Sequence, residues 1–139
     1  MIGDLVVDGD LENEGVLVVT GNLTVKGAYI GPPFDYSLAA VGGIMRARDV
    51  STSGEIIVGE RLEVSRIVHL LYNDYSSVLP AVTARALVIE DNFPALGTID
   101  AELQLNESPS DEQLRAIFGA TVDGLAEDNE NPIRTLIRG

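Results

Sequence analysis

The chain has 139 residues, of which 45% are hydrophobic, and a formal net charge of −13. This length favours one domain with its own core, and the excess of acids argues against nucleic acid or an anionic membrane surface as a partner, because both attract clustered Lys and Arg. The chain contains no cysteine, which excludes disulfides and thiol chemistry, and it has no Trp, so small aliphatic side chains must fill the interior.

No apolar run approaches the roughly 20 residues of a membrane-spanning helix. Met1 leads directly into an acidic strand pattern rather than into a signal peptide. Together with the lack of cysteine, these features predict a cytoplasmic protein without an integral membrane segment.

Most of the first hundred residues are copies of one pattern, in which an apolar residue, a turn and a short alternating strand follow one another. The copies begin at Val7, Val19, Val41, Val58 and Val78. Aligning them gives two further columns, which are Leu11, Leu23, Met45, Leu62, Val82 and Asn13, Val25, Ala47, Val64, Ala84. Every member except Asn13 is apolar, and such self-similarity is typical of a solenoid whose stacked units share one core.

In chain order, the pattern predicts strands at residues 5–7, 11–13, 16–19, 38–41, 45–47, 56–58 and 86–89, and an extended stretch at 62–71. Loops are predicted at 31–36, 51–54 and 73–77, where Gly, Pro, Ser and Asn accumulate. Residues 99, 101, 103 and 105 are apolar and alternate with polar residues, which predicts one more strand.

The copies are spaced irregularly, by 12, 22, 17 and 20 residues. A parallel β-helix tolerates this irregularity, because extra residues can form loops at its corners. The step of 12 residues is too short for most full turns, so an alternative to vertical stacking is that the first two copies lie on different faces of one turn.

Two helices are predicted after residue 106. Ser108 is the expected N-cap of the first, with Pro109 in its first turn, and Gly119 is expected to end it. Asn131 and Pro132 mark the start of the second. The apolar faces of the two helices are Leu114, Ile117, Phe118 and Ile133, Leu136, Ile137. We expect residues 1–106 to form the β-helix domain and residues 107–139 a helical segment packed on its open end or its side.

Residues 19–25 (VTGNLTV) and 42–47 (GGIMRA) resemble the bacterial polymer-forming β-helix proteins, the bactofilin-like group. The resemblance covers about residues 4–90. It implies a single-stranded, right-handed parallel β-helix that stacks end to end into filaments near membranes. The chain departs from the group's pattern where Glu60-Arg61 and Pro80-Ala81 replace the glycine-acid turn, and in its acidic C-terminal segment.

Four alternating acids, Asp8, Asp10, Glu12 and Glu14, would share one face of an extended strand and could bind a cation. Their spacing resembles the start of a calcium loop, but the twelfth position is Gly21 rather than Glu and no helices flank the stretch. A solvated strand face is the preferred interpretation.

His69, the only histidine, lies in the apolar run 67–71. A left-handed β-helix acyltransferase would use such a residue as a base, but it requires a strict six-residue period, which the copy spacing breaks. A partly buried structural role is preferred. Glu90, Asp91 and Asn92 could bind a metal or act as acid and base, although a turn is the simpler interpretation.

Lys26, Arg48 and Arg85 follow the third column and could form a basic stripe for an acidic partner, with pairing inside the chain as the preferred interpretation. Glycosylation sequons begin at Asn22 and Asn106, and we discount both because no secretion signal is visible.

The sequence therefore predicts no catalytic, cofactor-binding or metal site and no cofactor. The hypothesis is a non-enzymatic structural or scaffolding protein that acts through self-association, as a homo-oligomer, or through contacts with a protein partner. The alternatives are a small acidic partner-binding or inhibitory module and an enzyme that uses carboxylates such as Asp91. Asn13, the polar member of its column, is expected to discourage stacking, so its replacement by Val would raise self-association.

Overall fold

A computed structural model of the chain describes residues 2–32, 36–71, 77–124 and 132–138, and its strands form a parallel β-solenoid of about five turns. The strands in chain order are β1 (Leu5–Val7), β2 (Leu11–Glu12), β3 (Val16–Val19), β4 (Leu23–Val25), β5 (Ala28–Ile30), β6 (Leu38–Val41), β7 (Ile44–Ala47), β8 (Asp49–Thr52), β9 (Glu55–Val58), β10 (Arg61–Val64), β11 (Ile67–Leu70), β12 (Val78–Ile89) and β13 (Ala95–Leu105). The helices are α1 (Asp111–Phe118), which continues into a 3₁₀ segment at Gly119–Gly124, and α2 (Pro132–Arg138).

Each turn of the chain places one strand on each of three faces. Face 1 contains β1, β4, β7, β10 and the middle parts of β12 and β13. Face 2 contains β2, β5, β8, β11 and the ends of β12 and β13. Face 3 contains β3, β6, β9 and the starts of β12 and β13. The mainly β, parallel solenoid expected from the repeats is thus confirmed, while right-handed coiling stays a prediction.

The apolar columns run through the interior along the solenoid axis. On face 1, Leu23 pairs with Met45, Met45 with Leu62, and Leu62 with Val82, and all four side chains are buried. On face 3, Val19, Val41 and Val58 lie in register. Because successive side chains of a strand point to opposite sides, one register fixes which residues fill the core.

The first copy was placed wrongly by the sequence alignment. Leu5 pairs with Leu23 and Val7 pairs with Val25, so Val7 rather than Asn13 stands in the third column. Leu11 lies on face 2 and pairs with Tyr29. The alternative suggested by the short spacing, that the first two copies occupy different faces, is the arrangement observed.

The fifth copy is shifted by one residue at its start. Val78 pairs with Ile57, which puts Leu79 rather than Val78 beside Val58 in the core. Gly59, Glu60 and Arg61 separate β9 from the first core residue of β10, whereas only Pro80 and Ala81 separate Leu79 from Val82. The connection is one residue shorter than in the preceding turn, and β12 passes from face 3 through face 1 to face 2 as one unbroken strand.

The corners of the solenoid are packed too tightly for most side chains. A Cβ atom built on Gly59 would lie 2.0 Å from the Gly42 carbonyl oxygen, and one on Gly42 would lie 2.2 Å from the Thr20 oxygen. Polar side chains link the turns: Asp4 Oδ1 accepts the Asn22 amide and Asn22 Oδ1 accepts the Ile44 amide, both at 2.8 Å. Glycine is thus required by close approach of the backbones.

Two strands of face 2 were missed by the sequence analysis. Residues 51–54 were expected to be a loop, but Ser51 and Thr52 belong to β8, and β5 was not predicted. Every residue of both strands is buried, so neither shows the alternation that identifies a half-exposed strand. The expected loops at 31–36 and 73–77 lie partly outside the described residues, which exclude 33–35 and 72–76.

The helices cover the outer surface of face 2. Their predicted apolar residues are buried as expected, and with Val122 they pack against the outward side chains of the face, which are Ala28, Ile30, Ile67, Ala86 and Val88. Ser110, rather than Ser108, caps α1: its side chain accepts the Gln113 amide, and the Gln113 side chain accepts the Ser110 amide. Gly119 ends α1 as predicted, and Pro132 begins α2, whereas Asn131 lies outside the described residues.

Candidate functional site

The first turn of the solenoid presents a group of leucines at the N-terminal end. Leu5, Leu11 and Leu17 come from faces 1, 2 and 3, and all three are only partly buried against the main core. Because α1 and α2 lie on the side of the solenoid, no described element covers this end. The end therefore exposes apolar surface together with the free backbone edge of the first turn.

The last turn leaves a second free edge. The 11-residue strand β13 pairs with β12 and with no other strand in the described part of the chain. Leu96, Ile99 and Ala101 are partly buried against the core, and Gln104 pairs in register with Leu87 at the inward position of face 2. An uncovered strand edge of this length is a template for pairing with another strand.

Both ends are strongly acidic. Five exposed acids surround the N-terminal end, and Asp100 and Glu102 project from β13. The five are Asp4, Asp8, Asp10, Glu12 and Glu14. Two copies that meet end to end would bring these carboxylates together, and salt would weaken the resulting repulsion because the screening length falls with ionic strength.

A cation site at the four alternating acids, Asp8, Asp10, Glu12 and Glu14, would require them to share one face of a strand. In the structure they do not share a face. Gly9 has a φ of 115° and turns the chain between β1 and β2. Asp8 pairs with Lys26 at 2.9 Å, Asp10 Oδ1 accepts the Ala28 amide at 2.8 Å, and Glu12 pairs with Arg138 at 2.6 Å. Among the described residues, no three His, Cys, Asp or Glu side chains are grouped to hold a metal ion.

The residues of the predicted basic stripe are paired within the chain. Besides the Lys26 pair, Arg48 Nε lies 2.7 Å from Asp49 and its Nη2 donates to the Ile137 carbonyl oxygen. Arg85 lies 3.7 Å from Glu102 and donates to the Ala116 carbonyl oxygen at 2.9 Å. These arginines therefore tie the C-terminal helices to the solenoid.

His69 lies on the outward side of β11 and is only 3% exposed. Its Nε2 bonds the Glu90 carboxylate, which also accepts a hydrogen bond from Ser108 Oγ, while the buried Nδ1 has no partner in the described part of the chain. Burial lowers the pKa of His69, and the Glu90 carboxylate opposes this shift only in part. A histidine enclosed in this way is suited to a structural role.

Sequence reasoning missed a buried carboxylate. Asp49 is fully buried on the outward side of β8 and pairs with Arg66 Nη2 at 2.6 Å as well as with Arg48. The Arg66 guanidinium lies 4.7 Å from the ring centroid of Phe118 on α1. No local pattern could identify this group, because Arg66 and Phe118 are distant from Asp49 along the chain.

The asparagines that the sequence analysis singled out either make contacts within the chain or are exposed. Asn13 donates from Nδ2 to Tyr29 Oη and to the Leu38 carbonyl oxygen, each at 3.0 Å. Asn22 bonds the next turn as described above, and Asn106 is exposed. Glu90, Asp91 and Asn92 follow the end of β12, as expected for a turn.

The outer surface of face 3 is apolar and partly exposed in the described part of the chain. One row across its strands consists of Val18, Ala40, Ile57, Val78 and Ala95. Val16, in the neighbouring row, is 65% exposed. Face 1, by contrast, presents polar side chains such as Arg46 and Glu63, which pair at 2.7 Å.

The structure thus defines the class of the protein as a parallel β-solenoid with helices on one side. Comparison with protein-family models, with curated proteins and with solved structures gave no match. Within the described ranges, no helix combines the length and the apolar composition that crossing a bilayer requires.

Proposed function

We propose that this protein is a non-enzymatic structural protein that self-associates end to end through the open ends of its solenoid. The observation that carries the proposal is the position of the helices, which pack on the side of face 2 and leave Leu5, Leu11, Leu17 and the edge of β13 uncovered in the described structure. Solenoids that remain monomeric need terminal units with a polar outer face. The proposal includes membership of the bactofilin-like group, which the sequence resembles, and a filament located in the cytoplasm.

In the proposed stack, β13 of one copy pairs with the strands in the first turn of the next copy. The register of face 1 would then place Ile99 beside Leu5, and that of face 2 would place Gln104 beside Leu11. The apolar Ile99–Leu5 pair favours association, whereas the acids at both ends oppose it. Association is therefore expected to increase with salt concentration, since salt screens the acids and strengthens apolar burial.

The test is the mass of the protein by light scattering across a hundredfold range of concentration, at low and high salt. Wild type should grow in mass with concentration, and more so at high salt. Leu5→Asp and Ile99→Asp each block one end and should limit growth, whereas Ser65→Asp adds the same charge at an exposed mid-solenoid turn and should behave as wild type.

Mixing the two end variants provides a sharper test. Each variant keeps one intact end, so a mixture of Leu5→Asp and Ile99→Asp should form dimers although neither variant alone does so. A wild-type mass that stays fixed under all conditions would refute end-to-end association.

A second candidate function is that of a partner-binding or inhibitory module, which the apolar row on face 3 favours. A parallel sheet usually has both faces covered, whereas Val16 and Val78 on the outer side of face 3 are 65% and 39% exposed. This candidate would be supported if a protein partner crosslinks to wild type and to Ser65→Asp but not to Val78→Asp. The mass of the protein alone should then stay fixed at all concentrations.

A further inference from the structure

The last corner of the solenoid contains a cavity that end-to-end stacking does not require. Its volume is about 470 Å³, within the range of about 300–1,000 Å³ that is usual for ligand sites. It lies between the turn that follows β12 and the residue that follows β13. Its wall consists of Ile89, Asp91, Asn92, Phe93, Pro94 and Asn106.

The polar side of this cavity offers hydrogen-bond acceptors. Asp91 has an exposed side chain and a φ of 54°, a left-handed conformation that Asp and Asn adopt more readily than other non-glycine residues. Asn92 is buried, and its Nδ2 donates to the Leu71 carbonyl oxygen at 2.8 Å. The Oδ1 of Asn92 is buried without a partner in the described part of the chain. The exposed acceptor that this wall offers to a ligand is therefore the Asp91 carboxylate.

The apolar side of the cavity includes an aromatic ring in solvent. Phe93 is 80% exposed, the largest exposure of any aromatic side chain in the described ranges. Pro94 follows it and restricts the backbone of Phe93 to extended conformations. An exposed ring held beside a carboxylate provides a surface on which a flat cation can stack.

The charge of the site selects a cation. Among the described residues, the cavity wall contains Asp91 and no Lys, Arg or His, and the whole chain carries a net charge of −13, so the protein field attracts cations and repels anions. A guanidinium group is planar, donates two parallel hydrogen bonds to a carboxylate and stacks on aromatic rings, whereas an ammonium group lacks the planar fork. We propose that this cavity binds an arginine side chain from a basic segment of a partner protein.

In this arrangement the Asp91 carboxylate accepts the guanidinium and the Phe93 ring stacks on its face. The methylene stem of the arginine contacts Ile89 and Pro94. This site is independent of the proposed end-to-end association, because it uses none of the residues at the inward positions of the end turns.

The probe is the peptide acetyl-Gly-Arg-Gly-amide, titrated into ¹⁵N-labelled protein at low salt and at a concentration where light scattering gives the monomer mass. The amide signals of residues 91–93 should shift and saturate. The same peptide with citrulline, a neutral isostere of arginine, should cause at least tenfold smaller shifts, and the lysine peptide should bind more weakly than the arginine peptide.

Two variants test the contacts. Asp91→Asn keeps a residue that tolerates left-handed backbone and should weaken binding at least tenfold, as should Phe93→Ala. Asp100→Asn removes an exposed acid elsewhere and should leave the affinity unchanged. Equal binding of the citrulline and arginine peptides, or shifts spread over the acidic surface that Asp91→Asn does not reduce, would overturn the proposal.

Discussion

Asp49 on β8 and Arg66, which precedes β11 in the next turn, form an ion pair with an N–O distance of 2.6 Å, in which the carboxylate is fully buried and the arginine side chain is 28% exposed. The pair lies where the solenoid meets its helices, because Arg66 also stacks on Phe118 and the neighbouring Arg48 donates to the Ile137 carbonyl oxygen. A carboxylate in such a position is tolerated only while its partners remain. The pair therefore couples the stability of face 2 to the docking of α1 and α2.

Replacing Asp49 with Asn should destabilise the fold. The substitution leaves Arg48 and Arg66, whose side chains are 35% and 28% exposed, without their shared carboxylate, and we expect a loss of about 1–3 kcal/mol because the charges that remain are still partly hydrated. Urea unfolding followed by circular dichroism measures the loss. Glu102→Gln is the matched control, because its side chain is 76% exposed and it lies 3.7 Å from Arg85, so a loss of less than about 1 kcal/mol is expected. Equal losses in the two variants would contradict this account.

The His69–Glu90 pair should make stability depend on pH. Burial lowers the pKa of His69 below its unfolded value of about 6.5, so the unfolded chain binds more protons than the folded one as the pH falls. Its contribution is thus complete above the unfolded pKa and is lost as the pH falls toward the folded pKa. Burial also tends to raise the pKa of Glu90, but hydrogen bonds from Ser108 and His69 prevail and lower it, so its contribution is lost in more acidic solution, below its usual pKa of 4.5.

The measurement is the free energy of unfolding at pH 8 and pH 5.5 for wild type and His69→Gln. Wild type should lose stability between these values, and the variant, which keeps a donor but cannot titrate, should lose less. The same slope in both proteins would show that other groups cause the pH dependence.

The corner glycines should tolerate alanine only where there is space. At Gly59 a Cβ would meet the Gly42 carbonyl oxygen at 2.0 Å, whereas at Gly15 no atom lies within 4 Å. Gly59→Ala should lower the free energy of unfolding by about 1–3 kcal/mol, as overpacking does, and Gly15→Ala should have little effect. Thermal unfolding of the two variants under one set of conditions compares them directly. A Gly59→Ala protein as stable as the Gly15→Ala protein would mean that the corner relaxes freely.

The elements that the sequence predicted are those with a local periodic signal. Leu23, Met45 and Leu62 each follow a turn at the same offset, and the apolar faces of both helices repeat at helical spacing. Strands β5 and β8 gave no such signal, because the helices bury their outward sides and remove the alternation. The register of the first copy was wrong because Gly9 and Gly21 both precede a leucine by two residues but lie at different corners.

The contacts of the candidate sites were less predictable than the fold. Arg66 lies 17 residues from its partner Asp49 along the chain. The Ile137 carbonyl oxygen that accepts the Arg48 hydrogen bond lies 89 residues from Arg48. Such contacts depend on the stacking of turns and the docking of helices rather than on a motif. The cavity beside Phe93 likewise arises only when the turns after β12 and β13 meet.

The side chain of Asn13 makes three hydrogen bonds within the first turns of the solenoid. Its Nδ2 donates to Tyr29 Oη and the Leu38 oxygen, and its Oδ1 accepts the Gly15 amide at 3.1 Å. Asn13→Val should therefore lower the free energy of unfolding by about 1–3 kcal/mol, because it removes a buried hydrogen bond to the Tyr29 hydroxyl and two partly buried bonds to the backbone. Thr83→Val, at an exposed position, should change it by less than about 0.5 kcal/mol. Since the polar atoms of Asn13 bond its own chain rather than face a neighbouring copy, light scattering should show that folded Asn13→Val has the wild-type mass. A larger mass would instead support the sequence-based hypothesis that Asn13 discourages stacking.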